Sequence, residues 1–361
     1  MPPGTAEDSS PPAAATPTPA PAAASLPASA DATPTPAPTA TSNARVWLAL
    51  LLFCAGHAAL RLAMNHEFEG APWDELLAFT AAKPFGLRVL VPLLAWPFHT
   101  LLRVPTTWVF GLFETLSTIA LVLATAAALR PHVPRRSAAA LGVMLVLLLP
   151  VPFLLQHRWP IFYPYDTPAM AFTAGGVALL LRGRWRLAAA LAFFAALNRE
   201  SAILLPVAAL ALYIKPVPSD MAIPTLPLRQ VLPRVLGLFA AVALARVLVA
   251  VILRDNPGAP LQFLVDDTPR LLSNLAWLEE PTHWLYLPAY FGCVPLAWLL
   301  LHPWIPAPLR RLGWLALAYV GALLWIANID EPRVYGEAIV LLYLPVAVAL
   351  ARWLRSEPAP V

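Results

Sequence analysis

HRWPIFYPYDTPAMAFTAGGVALLLRGRWRLAAALAFFAALNRESAILLPVAALALYIK, residues 157–215, is the stretch that decides how this chain folds. A polar loop ends in Asp166 and an apolar run follows. Arg182, Arg184 and Arg186 then punctuate the chain, a second apolar run begins, and Asn198-Arg199-Glu200 sits between hydrophobic segments. A charge at membrane depth costs about 2.5–3.5 kcal/mol even on insertion scales, so such charges carry meaning. The plainer reading is that Arg199 and Glu200 pair with each other and cap a helix. Residues 186–215 would measure about 45 Å as one helix, too long for an untilted crossing of a ~30 Å hydrocarbon core. Broken at 198–200, each half is short for a full crossing.

Outward from this stretch the chain is 361 residues long, 59% hydrophobic and 12% charged, with a mean hydropathy of +0.68. Soluble domains carry about 25% charged residues. The sequence therefore predicts an all-α polytopic membrane protein; a β-barrel would alternate over ~10-residue segments instead. The net charge of +4 is no nucleic-acid signal, because the basic residues cluster at span ends. Cys54 and Cys293 both fall in apolar runs and suggest neither a disulfide framework nor a metal site.

Residues 1–43 are rich in Pro, Ala, Thr and Ser and predict a disordered tail. They lack the basic start of a signal peptide. A transmembrane domain is expected over 44–355, and a short tail over 356–361. Apolar spans are expected at about 45–64, 106–129, 138–155, 167–181, 231–253, 284–301, 311–328 and 338–354, flanking the divided 186–215 stretch. Residues 84–105, broken by Pro92 and Pro97, read as a poor span or as interfacial helices.

Charge chooses between these. If 84–105 stays outside and the break at 198–200 is real, about ten segments cross, with both termini inside. Fourteen of the 24 basic residues then lie inside: Arg45, Arg130, Arg135, Arg136, Arg182, Arg184, Arg186, Lys215, Arg229, Arg234, Arg310, Arg311, Arg352 and Arg355. Eight lie outside (Lys83, Arg88, Arg103, Arg158, Arg199, Arg254, Arg270, Arg333), and Arg61 and Arg246 remain within spans. The outer face collects 14 of the 20 acids, including Glu67, Glu69, Asp74, Glu75, Asp166, Glu200, Asp255, Asp266, Asp267 and Glu337. Polar loops gathered above a rigid scaffold mark the site end. The 261–278 segment is apolar at roughly helical spacing and suits the membrane surface.

The chain has no HExxH, CxxC, P-loop, GxSxG or GxGxxG, so a nucleotide-dependent or zinc enzyme has no support. Outer carboxylates and arginines remain. Asp74 or Glu75, in a juxtamembrane helix of the first outer loop, suits a general base toward an acceptor hydroxyl; the plainer reading is a cap with first-turn acids. Asp166 suits substrate orientation or a metal clamp, or is only an N-cap. Arg88, Arg199 and Arg333 suit a phosphate, unless Arg199 and Arg333 merely pair with Glu200 and Glu331. Glu114 and Arg246, isolated within spans, are expected to pair with each other. Trp47, Trp108, Trp185, Trp284, Trp304 and Trp353 read as interface anchors.

This layout resembles the GT-C superfamily of membrane glycosyltransferases, whose members include oligosaccharyltransferase catalytic subunits, protein O-mannosyltransferases and aminoarabinose transferases. The resemblance rests on Trp73-Asp74-Glu75 after the first span, Lys83-Pro84-Phe85 through Pro97, Asp166 at the mouth of a span, Ala196-Leu197-Asn198-Arg199-Glu200, and Glu331-Pro332-Arg333-x-Tyr335. It covers residues 45–215 well and the remainder loosely. Arg-Glu stands where the family usually has Lys, and the outer loops are short. The resemblance implies transfer of a sugar from a polyprenyl-phosphate carrier to a lipid, glycan or protein acceptor outside the cytoplasm. Asp74, Glu75 and Asp166 would be the catalytic set, Arg88, Arg199 and Arg333 the phosphate grips, and Glu200, Glu331 and Tyr335 further candidates. The resemblance fixes no cofactor and leaves room for a divalent cation. The expected partners are membrane lipids and the carrier, not nucleic acid, and the expected location is a bacterial inner membrane. The alternative is a transporter or flippase of a lipid or small solute, which inverted repeats with paired broken helices would mark.

Overall fold

The computed structural model describes residues 40–154, 160–214, 226–260, 263–265 and 268–355. Expectations placed on the tails 1–39 and 356–361, and on Arg158, Lys215, Asp266 and Asp267, lie outside the described residues. The first helix starts at Ala40, inside the segment expected as tail.

The regular structure of the described residues is helical apart from one antiparallel pairing of Leu264–Val265 with Thr268–Pro269 and two isolated bridges, His66 with Ile161 and Phe68 with Ala71. In chain order the helices are α1 (Ala40–Met64), α2 (Trp73–Leu77), α3 (Leu90–Thr100), α4 (Thr106–Leu129), α5 (Arg135–Leu148), α6 (Pro150–Leu154), α7 (Asp166–Leu181), α8 (Trp185–Asn198) and α9 (Leu204–Tyr213). They continue with α10 (Leu228–Ile252), α11 (Arg270–Glu279), α12 (His283–Tyr290), α13 (Val294–Leu300), α14 (Ala307–Leu323) and α15 (Gly336–Leu354). Prolines place many of the starts: Pro72, Pro105, Pro134, Pro227, Pro269 and Pro306 each stand directly before a helix. Proline has no N–H to leave unpaired there, and its fixed φ suits the turn into a helix.

Among the described residues, five helical stretches are long and apolar enough to cross a membrane: Ala44–Met64, Thr106–Leu129, Arg135–Leu154, Leu228–Ile252 and Pro332–Leu354. This is a helical membrane protein. The apolar window of the last stretch is 89% buried against 22–44% for the other four. The α15 helix is therefore the central post, and the others turn broad apolar faces outward. Close backbone approach tightens the bundle. Gly142 of α5 faces the Val122 carbonyl of α4, and a Cβ there would lie 2.6 Å from that oxygen.

The break at 198–200 is real. Arg199 is extended (φ −160°, ψ 152°), and a short 3-10 turn, Glu200–Ile203, follows. The chain then reverses: Tyr213 Oη donates to the Leu180 carbonyl at 2.7 Å, and its ring lies 5.0 Å from Trp185 at the start of α8. Residues 84–105 do not form a span. The helix inside them, α3, has 11 residues and a proline, Pro97, within it, about 16 Å in all. The expected span 284–301 is interrupted, because Gly292 and Cys293 take left-handed backbone (φ 58° each) between α12 and α13.

Contacts between segments sort the loops into two ends. At one end Lys83 Nζ donates to the Arg254 carbonyl, His66 pairs with Ile161, and Arg270 donates to Asn328. At the other, Arg355 donates to the His132 carbonyl, Arg311 to the Ala211 carbonyl, and Arg234 stacks on Trp185. The acidic loops gather at the first end and the basic turns at the second.

Candidate functional site

The loop-bearing end is built on aromatic rings. Phe85 stacks on Tyr163 at 5.5 Å and 3°, and Tyr163 on Tyr165 at 5.1 Å. Burial raises both phenols above their ordinary range, against the opposing charges of Arg333 and Arg88 respectively. The rings stay neutral and offer π faces to cations. Arg333 lies 4.0 Å over Tyr163 and Arg88 4.5 Å over Tyr165.

Two ion-pair groups sit on this platform. In the inner one, Asp166 meets Arg199 at 3.2 Å and Arg333 at 3.8 Å. Arg199 also meets Glu337 at 3.6 Å, and Arg333 meets Glu331 at 2.9 Å. Ser201 donates to Glu337. Asp166, Arg199, Arg333 and Glu337 are all buried. In the outer group, Glu200 lies between Arg88 at 3.3 Å and Arg246 at 3.5 Å. Arg246 also donates to the carbonyls of Leu87 and Ala196.

The sequence-based candidates divide accordingly. Asp166, Arg199 and Arg333 come together, with Glu331 and Tyr335 beside them. Tyr335 Oη donates to the Asn328 carbonyl at 3.5 Å. Glu200 and Arg88 form the neighbouring group. Asp74 and Glu75 do not join either. They are exposed at the start of α2, and Asp74 accepts a hydrogen bond from Thr106 at 3.1 Å. Their link to the site runs through Trp73, whose ring packs edge-on against Phe162 at 5.7 Å, four residues before Asp166.

Several plainer expectations fail. Asp166 is not an N-cap: Tyr165 holds that position, and no side chain caps α7. The acids of α2 do not cap it, although both stand in its first turn, as the plainer reading expects. Arg199 pairs with Asp166 and Glu337, because the extended Arg199 backbone points its side chain and that of Glu200 to different groups. Glu114 does not pair with Arg246. It meets Arg61 at 2.6 Å, and Thr167 bonds both. The chain reversal at 198–200 sends Arg246 to Glu200 instead. A divalent cation at Asp166 is also disfavoured, since the carboxylate faces two guanidiniums. Among the described residues no three His, Cys, Asp or Glu side chains group in a way that could hold a metal.

No protein-family model, curated protein or solved structure matches this chain.

Glu337, Ser201 and Arg246 were not expected in the site. Glu337 lies four residues after Arg333, one helical turn on, and that spacing is readable in the sequence. Ser201 carries no such signal. Arg246 carried one, as a lone charge inside a span.

Proposed function

We propose that the chain is a membrane glycosyltransferase that moves a sugar from a polyprenyl-phosphate carrier to an acceptor outside the cytoplasm. The observation that carries this reading is the buried ion-pair network at the loop-bearing end. Its buried Asp166 Oδ2, Glu337 Oε2, Arg333 Nε and Tyr165 Oη have no hydrogen-bond partner among the described residues. Buried charges of this kind stabilise a fold poorly compared with apolar packing, so their concentration above the bundle points to binding or chemistry. The resemblance of 45–215 to the GT-C layout supplies the reaction class.

In this reading about ten segments cross the inner membrane, including the short α7, α8 and α9 and the interrupted α12–α13. The basic turns and both termini face the cytoplasm. Asp74 or Glu75 takes the proton from the acceptor hydroxyl. The acceptor oxygen attacks the anomeric carbon, the bond from that carbon to the phosphate oxygen breaks, and the phosphate leaves with its electrons. One displacement inverts the anomeric centre. Arginine side chains at this end offset the charge of the departing phosphate, while Asp166 braces the buried network with Arg199 and Arg333 beside it. The test is transfer from a labelled polyprenyl-phosphate sugar. Asp74→Asn combined with Glu75→Gln lowers transfer by about 10²-fold or more, the scale of general-base catalysis; unchanged transfer removes the proposed base.

The interruption at Gly292-Cys293 favours a second reading, a transporter or flippase, since it adds a broken helix. Flipping of a fluorescent lipid by reconstituted protein, without sugar transfer, would establish it.

A further inference from the structure

The site presents a phosphate with arginines that are not equivalent. Arg199 and Arg333 are 7% and 4% exposed and face the three carboxylates of Asp166, Glu331 and Glu337. Two guanidiniums against three carboxylates repel an arriving anion. Arg88 and Arg246 share one carboxylate, Glu200, and the three side chains are 12%, 23% and 31% exposed. Here the balance is positive. Both cations are also pre-oriented: Arg88 over the Tyr165 and Phe85 rings, Arg246 by the carbonyls of Leu87 and Ala196. A guanidinium held in this way loses little freedom on binding a phosphate.

The outer group also borders the bundle's apolar exterior. One turn from Arg246 along α10, Ala243 and Ala250 are exposed, the adjacent Val247 is 59% exposed, and Ile203 beside Glu200 is 49% exposed. Arg246 lies six residues before the end of α10 at Ile252, about 9 Å along the helix. A headgroup reaches it sideways while its chain stays against these aliphatic side chains.

We infer that Arg88 and Arg246 form the seat for a lipid-borne phosphate, with Glu200 holding the two cations until the phosphate displaces it. The inference rests on the reading of the site as a phosphate-lipid site, and it names the residues and the face of approach.

The experiment uses the full chain in phosphatidylcholine nanodiscs and a diazirine-bearing polyprenyl phosphate as photolabel. Arg246→Gln and Arg88→Gln each reduce labelling about tenfold, the effect of losing one charge-assisted contact, and Arg246→Lys restores part of it. Glu200→Gln raises labelling several-fold, because the internal competitor is gone; a purely structural Glu200 would lower it. The phosphate-free prenol analogue labels all variants alike, and millimolar inorganic phosphate leaves labelling intact. Wild-type labelling in a folded, monodisperse Arg88→Gln/Arg246→Gln protein overturns the seat, as does reduced labelling in Glu200→Gln. Displacement by inorganic phosphate overturns the lipid-borne source. Labelling without sugar transfer in the wild type sinks the transferase and leaves the seat; full transfer in the double variant does the reverse.

Discussion

Arg61 and Glu114 meet with both side chains fully buried, and Arg61 also lies 3.8 Å over the Phe153 ring. Removing one partner strands a charge in a medium that cannot solvate it. Glu114→Ala is therefore expected to cost about 3–5 kcal/mol, whereas Arg61→Met with Glu114→Leu recovers most of that. Apparent unfolding temperatures in detergent of the wild type, Arg61→Met, Glu114→Leu and their combination close the cycle. His132, in the turn between α4 and α5, carries a pH dependence. Burial, reinforced by Arg352, lowers its imidazole from 6.5 to about 4. The unfolded chain thus takes up this proton first as the pH drops. The contribution to stability is intact above the unfolded value of 6.5, is lost progressively toward 4, and changes no further below that. His132→Asn should lose less unfolding temperature than the wild type between about pH 7 and about pH 4.5.

Among the elements, α4 and α5 depend on a missing side chain. A Cβ at Gly142 would press on the Val122 backbone oxygen at 2.6 Å. Backbone cannot swing aside as a flexible side chain does. Gly142→Ala is expected to destabilise by about 1–3 kcal/mol, read as a lower unfolding temperature. The α11 helix acts differently. Its Leu272 and Leu275 are exposed. Its buried Asn274 donates to the Leu324 and Ala327 carbonyls and accepts from the Ile329 N–H. That one residue fixes the segment leading to Glu331 and Arg333. Asn274→Leu should loosen 324–329 and increase its amide hydrogen exchange, with α4 and α7 unaffected.

At the scale of the molecule, the two ends carry opposite charge and a membrane would separate them. In a Cys54→Ala/Cys293→Ala background, single cysteines at Glu69, Asp255 and Glu280, all exposed, should label with an impermeant thiol reagent from one side. Cysteines at exposed Arg130, Arg184 and Arg186 should label only from the other. Mixed labelling within either set breaks the arrangement of loops described here. Asp166, Arg199 and Arg333 are unsuitable positions for this test, because each is buried in the inner network.

The membrane class, the long helices and the gathering of acids at one end were legible in the chain itself. Apolar length, proline position and loop charge are local quantities, and they act before any tertiary contact forms. The reversal in 157–215 was legible too, since a 30-residue apolar helix outruns a bilayer. The partners of the charges were not. Glu114 chose Arg61 over Arg246, and Arg199 passed over the adjacent Glu200 for Asp166 and Glu337. Those choices depend on how helices pack side by side, and on an extended residue that aims neighbouring side chains apart. Low-dielectric burial then makes each pairing decisive. Sequence spacing determined which charges this protein would bury, and only the packing of the helices decided which of them meet.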